Sequence, residues 1–416
     1  MRVLLVNSTD VTGGAARAAQ RLLQALPLAG VEARMLVQAR HGAADPRVEG
    51  PRGSVQRAMA RIRPRLDLVP AQRYPKGRQV LFSAARWAPG GFLERINASD
   101  ADVVHLHWIN GGMLSIEEIG RINKPVVWSL HDMWAFTGGC HYDEACGRWA
   151  THCGACPVLG SDREHDLSHA VFERKRRHFK QVPNLTIVGL SRWMATCAER
   201  SPLLVQARVV QLPNPVDTDM FTPLDRLAAR ARFGLPENKP LVLFGAVNAT
   251  GDQRKGFAQI SAALKALPPG AVELVVFGAQ RPASPPDLGH PAHYLGSISK
   301  DVDLCLLYNA ADVTVLPSLQ ENLSNTVVES LACGTPAVAF DIGGNSDMID
   351  DHVNGILAQA FDPHALAAGI RWVVDHREPE KVRAAARGTA VERFAMRAVA
   401  ERYRALYGDL VQGTAD

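Results

Sequence analysis

Short apolar runs closed by Gly, Pro, Asn or Asp alternate along this chain with longer stretches whose apolar residues recur every three or four positions. Runs of the first kind read as buried strands. They fall at residues 1–7, 31–38, 102–108, 126–132, 185–188 and 209–212, and again at 240–245, 273–278, 312–316 and 337–340. Helical spacing covers residues of about 15–26, 257–267, the stretch from 362 onward, and about 396–407. Strand-helix alternation in both halves predicts an α/β protein with two doubly wound parallel sheets. Between the halves, Pro213-Asn214-Pro215-Val216-Asp217 is dense in turn residues and predicts the linker. The expected division is 1–212, 213–390, and a segment 391–416 whose helix crosses back to the first domain; residues 414–416 should fray. No internal repeat is visible.

The pattern is most informative around Glu321-Asn322-Leu323-Ser324-Asn325-Thr326-Val327-Val328-Glu329. Strand 312–316 ends in Pro317-Ser318. Val327, Val328, Leu331 and Ala332 then take helical spacing, with Ser324 as N-cap and Gly334-Thr335-Pro336 as the stop. In such a unit ligands bind beyond the carboxyl end of the strand, at the helix tip. Free backbone N–H groups from Leu323 to Thr326 suit a phosphate. Glu321 stands in front of that tip and Glu329 two turns deeper. Two carboxylates holding hydroxyls around a diphosphate fit a nucleotide sugar; the ordinary alternative is a solvated loop acid and an exposed helix acid. Arg254-Lys255-Gly256, at an earlier strand-to-helix junction, pairs two cations with helix N–H groups and suits the same diphosphate.

The first half offers weaker signals. Gly13-Gly14 opens the first helix and admits close approach of a ligand, or is simply a tight turn. His105 and His107 share a strand face and read as hydrogen-bonded structural residues. His131-Asp132 ends the strand at 126–132. Residues 52–78 hold Arg52, Arg57, Arg61, Arg63, Arg65, Arg73, Lys76 and Arg78 against one acid, Asp67. Val55, Met59, Ile62 and Leu66 recur there at helical steps. A basic amphipathic helix suits an anionic membrane surface; the alternative is a surface helix whose apolar face packs on its domain. A second basic run, residues 172–180, is a solvated helix face or a further anionic contact.

Composition narrows the class. With 416 residues, 47% apolar and 21% charged, the chain reads as a soluble globular protein of two or three domains. A net charge of +4 gives no argument for nucleic acid. Met1 to Asn7 reads as a strand rather than a signal peptide, and no apolar run is long enough to span a bilayer. The expected compartment is the cytoplasm, with a place at the inner face of the membrane left open by the basic helix. Of seven cysteines, Cys197, Cys305 and Cys333 are scattered in apolar settings and read as buried and inert. Cys140, Cys146, Cys153 and Cys156 cluster, and a structural four-thiolate zinc site is the leading reading of their spacing. Disulfides are the rival and free thiols the third option; His141 or His152 could replace a cysteine.

These motifs together resemble the retaining GT-B glycosyltransferases of family 4. Glu321-x7-Glu329, Ser-Leu-Ala-Cys-Gly-Thr-Pro-Ala-Val-Ala and Gly343-Gly344 match that family's donor-site signature, and Lys255-Gly256 its phosphate-binding pair. His131-Asp132, Gly13-Gly14 and the Pro-Asn-x-Val-Asp hinge match as well. Asn322 stands where many members have Gly, Pro215 replaces the hinge Gly, and Ala246-Val247-Asn248 stand where many members carry an Arg. The resemblance implies two Rossmann-like domains facing a cleft, an acceptor-side first domain and a nucleotide-sugar-binding second domain. It implies a hexosyltransferase that needs no cofactor for catalysis and moves sugar with retention to a glycan or polyprenyl-diphosphate-linked acceptor. Cysteine-bearing inserts occur in similar exopolysaccharide (colanic-acid-type) enzymes, which implies polysaccharide or lipopolysaccharide assembly. By the same resemblance Glu321, His131 and Lys255 are catalytic. Gly13, Gly14, Arg254, Lys255, Ile298, Asn322, Leu323, Ser324, Asn325 and Glu329 bind the donor, with Glu329 on the ribose and Ile298 by the base. Two other classes compete: a nucleotide-sugar epimerase of the same architecture, and a non-catalytic membrane-bound scaffold.

Overall fold

The structure is a computed structural model that describes residues 1–77, 81–245 and 251–412. Arg78, the stretch Ala246-Val247-Asn248 and residues 414–416, on which sequence expectations fell, lie outside the described residues. The chain forms two compact units, Met1–Pro213 with Val399–Asp416, and Asn214–Ala398.

The first unit is built on β1 (Arg2–Thr9), β2 (Glu32–Ala39), β3 (Val48–Glu49), β4 (Val103–Leu106), β5 (Val126–Leu130), β6 (Leu185–Gly189) and β7 (Arg208–Gln211). They pair in the order β3-β2-β1-β4-β5-β6-β7, all parallel. The second unit holds β8 (Leu241–Gly245), β9 (Glu273–Phe277), β10 (Ala292–Tyr294), β11 (Val313–Leu316), β12 (Ala337–Phe340) and β13 (Gly355–Ala358). Their order is β10-β9-β8-β11-β12-β13, again all parallel. Parallel strands are covered on both faces, which is why β4, β5, β8, β11 and β12 are buried at every position and read as largely apolar runs. The short edge strands β3, β10 and β13 escaped the sequence reading; β3 and β10 are two and three residues long, too short to show a period.

Three elements differ from expectation. Helix Gly53–Gln72 is inverted: its buried face is Ala60, Arg63 and Asp67, while Val55 is 74% and Ile62 45% exposed. Asp67 accepts the Ala85 N–H at 2.8 Å, so a polar contact helps to seat the helix beside buried Ala60. Arg57, Arg61 and Arg65 also lie outward. The run 172–180 is a solvated face only in part: Arg176, Arg177 and Lys180 are exposed, while the other side of the helix is not. Lys175 is fully buried, donating to the Trp134 and Thr137 carbonyls, and Arg174 grips Glu117 with two hydrogen bonds of 2.8 and 2.6 Å. Thirdly, the final helix spans Met396–Gln412, longer than its spacing suggested. Its Tyr403 and Tyr407 are buried in the first unit, bonded to Ser129 and His105. Among the described residues no helix is long and apolar enough to cross a membrane.

Candidate functional site

In an open parallel sheet ligands gather beyond the carboxyl ends of the strands where the winding direction reverses. In the second unit that point lies between β8 and β11, which pair at Val242↔Val313 and Leu243↔Thr314. The segment leaving β8 carries Arg254-Lys255-Gly256, and the one leaving β11 carries Glu321. The two meet: Lys255 Nζ lies 3.1 Å from Glu321 Oε2, and the Ser318 hydroxyl donates to the same oxygen at 3.1 Å.

Backbone packing holds this pair. Gly256 has φ 75°, and a Cβ there would stand 1.8 Å from the Pro317 carbonyl oxygen. Only glycine lets the two loops touch. Leu319 N–H reaches the Arg254 carbonyl at 2.8 Å and ties them again. Gly343, at φ 54°, leaves no room for a side chain against the Glu321 carbonyl, to which Gly344 N–H donates at 3.2 Å. The Gly343-Gly344 pair thus clamps the loop that carries Glu321. Arg254 is paired with Asp252 at 2.6 Å, and Asp252 also caps the turn Gln253–Lys255 by accepting the Arg254 N–H. Helix Phe257–Lys265 begins at Gly256 with no side chain as cap.

Ser324 caps helix Asn325–Ala332 as expected, accepting the Val327 N–H at 3.4 Å. Asn322 and Leu323 are buried beside it. Glu329 lies little more than one turn inside that helix, not two, and is 2% exposed rather than solvated. The Tyr308 hydroxyl donates to its Oε2 at 2.7 Å, and burial followed by this carboxylate pushes the Tyr308 hydroxyl's own pKa far up. Tyr308 was not singled out in the sequence, where it is one apolar-facing residue of an ordinary helical pattern. Ile298 lies half-buried in the segment that follows edge strand β10.

In the first unit the reversal lies between β1 and β4. Gly13 is the N-cap of helix Gly14–Ala25, which also lacks a side-chain cap. Beyond β4 and β5 sits a row of aromatic nitrogens. His107 Nδ1 and His131 Nε2 are 2.9 Å apart, and the His105 ring stacks on His107 with centroids 4.3 Å apart. His105 is enclosed by Tyr407 at 2.6 Å and Ser129 at 2.8 Å. Burial pushes His105 down to about 3 and His131 to about 4, the latter against the pull of Asp132, and holds His107 well below the usual range. All three rings are neutral at physiological pH. Asp132 points elsewhere, accepting from His141, Trp108 and the Trp134 N–H.

The zinc expectation is corrected. Cys140, Cys146, Cys153 and Cys156 do line one small cavity, yet among the described residues no three His, Cys, Asp or Glu side chains are placed to share a metal ion. Cys140 and Cys156 pack with Phe82, Val158 and Leu159, while Cys153 belongs to the main core. They act as small apolar side chains. Burial raises all four thiols, Cys153 to about 12. His141 is committed to Asp132 and Ser83, and His152 is exposed beside Glu164. A cavity of about 690 Å³ in the first unit lies at the amino ends of β6 and β7, lined by Arg177, Lys180, Val205 and Arg208, at the opposite end of the sheet from His131.

Residues 12–220 match the model of Glycosyltransferase Family 4, and residues 225–389 that of Glycosyl transferases group 1. The chain belongs to this family of glycosyltransferases. A D-inositol 3-phosphate glycosyltransferase of Xylanimonas cellulosilytica is 32% identical over 290 residues, covering 64% of this chain and 62% of that protein. One of the same name from Geodermatophilus obscurus is 28% identical over 332 residues, covering 74% and 65%. The chain thus spans a little under two thirds of the length of these relatives. Among solved structures, Anabaena Alr3699/HepE in complex with UDP-glucose superposes over 99% of this chain and 100% of its own, with TM-score 0.66 and 16% identity. Sucrose-phosphate synthase from Thermosynechococcus elongatus does so over 99% and 100%, with TM-score 0.63 and 18% identity. The fold is that of the GT-B glycosyltransferases: two Rossmann-like α/β domains.

Proposed function

We propose that this protein moves a hexosyl group from a nucleoside diphosphate sugar to a hydroxyl of its acceptor, with retention of anomeric configuration. The observation that carries the reading is the Lys255–Glu321 pair at the reversal point of the second sheet, beside the capped tip of helix Asn325–Ala332. The second unit would be the donor domain and the first the acceptor side. As the bond from C1 to the diphosphate oxygen breaks, negative charge grows on the leaving group. Lys255, Arg254 and the N–H groups at Leu323, Ser324 and Asn325 supply the opposing charge. Glu321 accepts from hydroxyls of the sugar, and Asn322 lines the same loop. Glu329, oriented by Tyr308, accepts from the ribose, and Ile298 lies against the base. Gly13 and Gly14 leave backbone accessible on the first unit, and His131 takes a hydroxyl of the transferred sugar. The new bond joins C1 to the acceptor oxygen, whose proton leaves with the departing phosphate. Group 1 enzymes generally need no cofactor for this chemistry.

The relatives' names make a phosphorylated polyol the first acceptor to try. A lipid-linked glycan, as in polysaccharide or lipopolysaccharide assembly on the cytoplasmic membrane face, is supported by the outward apolar and arginine-bearing side of helix Gly53–Gln72. A thermal-shift screen of nucleoside diphosphates comes first, since a ligand bound to the folded state alone raises the melting point. The expected result is stabilisation by one base in preference to the others, followed by transfer to one acceptor class with the donor's anomeric configuration kept. No stabilisation by any nucleotide would remove the reading. An inverted product would remove retention, and conversion of donor without acceptor would indicate an epimerase.

A further inference from the structure

The hydrogen bond between His107 and His131 can be oriented, and its orientation fixes what His131 offers to a ligand. Each neutral imidazole carries one N–H and one bare nitrogen. Among the described residues His107 Nε2 is buried and has no hydrogen-bond partner. If His131 Nε2–H were the donor, His107 Nδ1 would accept, and the His107 proton would have to sit on that enclosed Nε2. A buried N–H without an acceptor is rare and costly, more so than an unused lone pair. The low-cost arrangement places the His107 proton on Nδ1, donating to a bare His131 Nε2. The His131 proton is then on Nδ1. That atom has no partner among the described residues and belongs to a partly exposed side chain at the end of β5. The second ring nitrogen of a histidine commonly sets the tautomer of the first in this way.

We infer that His107 is a positioning residue that locks His131 in the Nδ1–H tautomer, so that His131 is a hydrogen-bond donor to the transferred sugar and not a base for the acceptor hydroxyl. The inference rests on the proposed function for the identity of the ligand, but not for the tautomer. Burial lowers all three histidines and keeps the row neutral, and the His105 ring, held by Tyr407 and Ser129, lies against His107 with centroids 4.3 Å apart and planes 30° apart. The acceptor's proton accordingly goes to the leaving phosphate oxygen.

The test is two-bond ¹H–¹⁵N NMR of the full-length protein with ¹⁵N-histidine at pH 7.5, His131 being assigned by its loss in His131→Asn. The expected spectrum has a protonated Nδ1 and a bare Nε2 on His131, the reverse of the form that predominates for free imidazole side chains in water. A protonated Nε2 overturns the inference. In His107→Phe, which keeps an aromatic ring and removes the donor, the bare His131 Nε2 loses its partner, and its ¹⁵N line should move downfield, as expected for an imidazole nitrogen that no longer accepts a hydrogen bond. There kcat should fall about tenfold, the size of one hydrogen bond, with the donor KM within about twofold of the parent. A folded His107→Phe with unchanged kcat overturns the positioning role; the wild-type spectrum decides the tautomer even if that variant fails to fold. Nδ1–H in a protein that transfers no sugar would support the tautomer and count only against the transferase reading.

Discussion

Beyond β8 and β11 the second sheet gathers formal charge: Lys255 with Glu321, Arg254 with Asp252, and the helix tip capped by Ser324. Beyond β4 and β5 the first sheet gathers neutral rings: buried His105 and His107, and the partly exposed His131, bonded nitrogen to nitrogen with His107. Both places lie at the ligand end of sheets wound in the same way. The winding therefore says where a ligand goes and nothing about which ligand. Partly solvated ion pairs can be exchanged for ligand charges, as a diphosphate requires. Enclosed neutral rings cannot compensate a charge, but they can fix the direction of a hydrogen bond to a hydroxyl.

If that contrast is correct, removing charge from the second unit should have the largest effect. Lys255→Ala should lower kcat by about 10²–10³-fold, the magnitude usual for losing one group that opposes charge developing in the transition state. Initial rates at saturating donor would measure it, and a loss of less than threefold would mean that Lys255 serves only Glu321. Gly256→Ala should follow. A Cβ at 1.8 Å from the Pro317 oxygen forces the loops from β8 and β11 apart. The variant should lose about 2 kcal/mol of stability and, with it, the thermal shift given by nucleotide. A full nucleotide shift in Gly256→Ala would show that the two loops need not touch. Glu329→Gln sharpens the same side of the contrast. Glutamine keeps an acceptor for Tyr308 while removing the charge. Nucleotide Kd by calorimetry should rise about tenfold, or 1.4 kcal/mol, with kcat at saturation little changed.

The charged site was the more legible of the two in sequence, for a physical reason. Glu321, Lys255 and Ser324 sit at strand-to-helix junctions, where breakers and caps mark the chain and the chemistry is local. The strand pattern gave the order of elements, so the meeting of two distant loops at one reversal point followed from winding. What could not be read was contact across the chain. The Tyr308 bond to Glu329, the clamp of Gly344 on the Glu321 carbonyl, and the His107–His131 bond join residues many positions apart and leave no local period. Helix Gly53–Gln72 shows the same limit: its four basic side chains and apolar stripe hide that Ala60, Arg63 and Asp67 form the buried face. The cysteines show the limit of spacing alone. Four thiols around one small cavity look like a ligand set in one dimension and like core packing in three.

The smallest expected effect belongs to the neutral rings and is read in stability rather than rate. His105 is depressed to about 3 in the folded protein, chiefly by burial, against an ordinary value of 6.5. Between those values the unfolded chain binds a proton that the folded one refuses, so stability rises with pH through this window and is lost as pH falls below about 6.5. The wild-type melting temperature should therefore drop between pH 7.5 and 5.5. His105→Gln removes one titrating group while keeping a polar side chain for Ser129. Its melting temperature should fall less over the same interval, by about 3 °C, corresponding to about 1 kcal/mol. Scanning calorimetry of both proteins at the two pH values measures the difference directly. Equal drops would mean that His105 is already protonated when folded, and the contrast between a charged and a neutral ligand end would then fail on the side of the first unit.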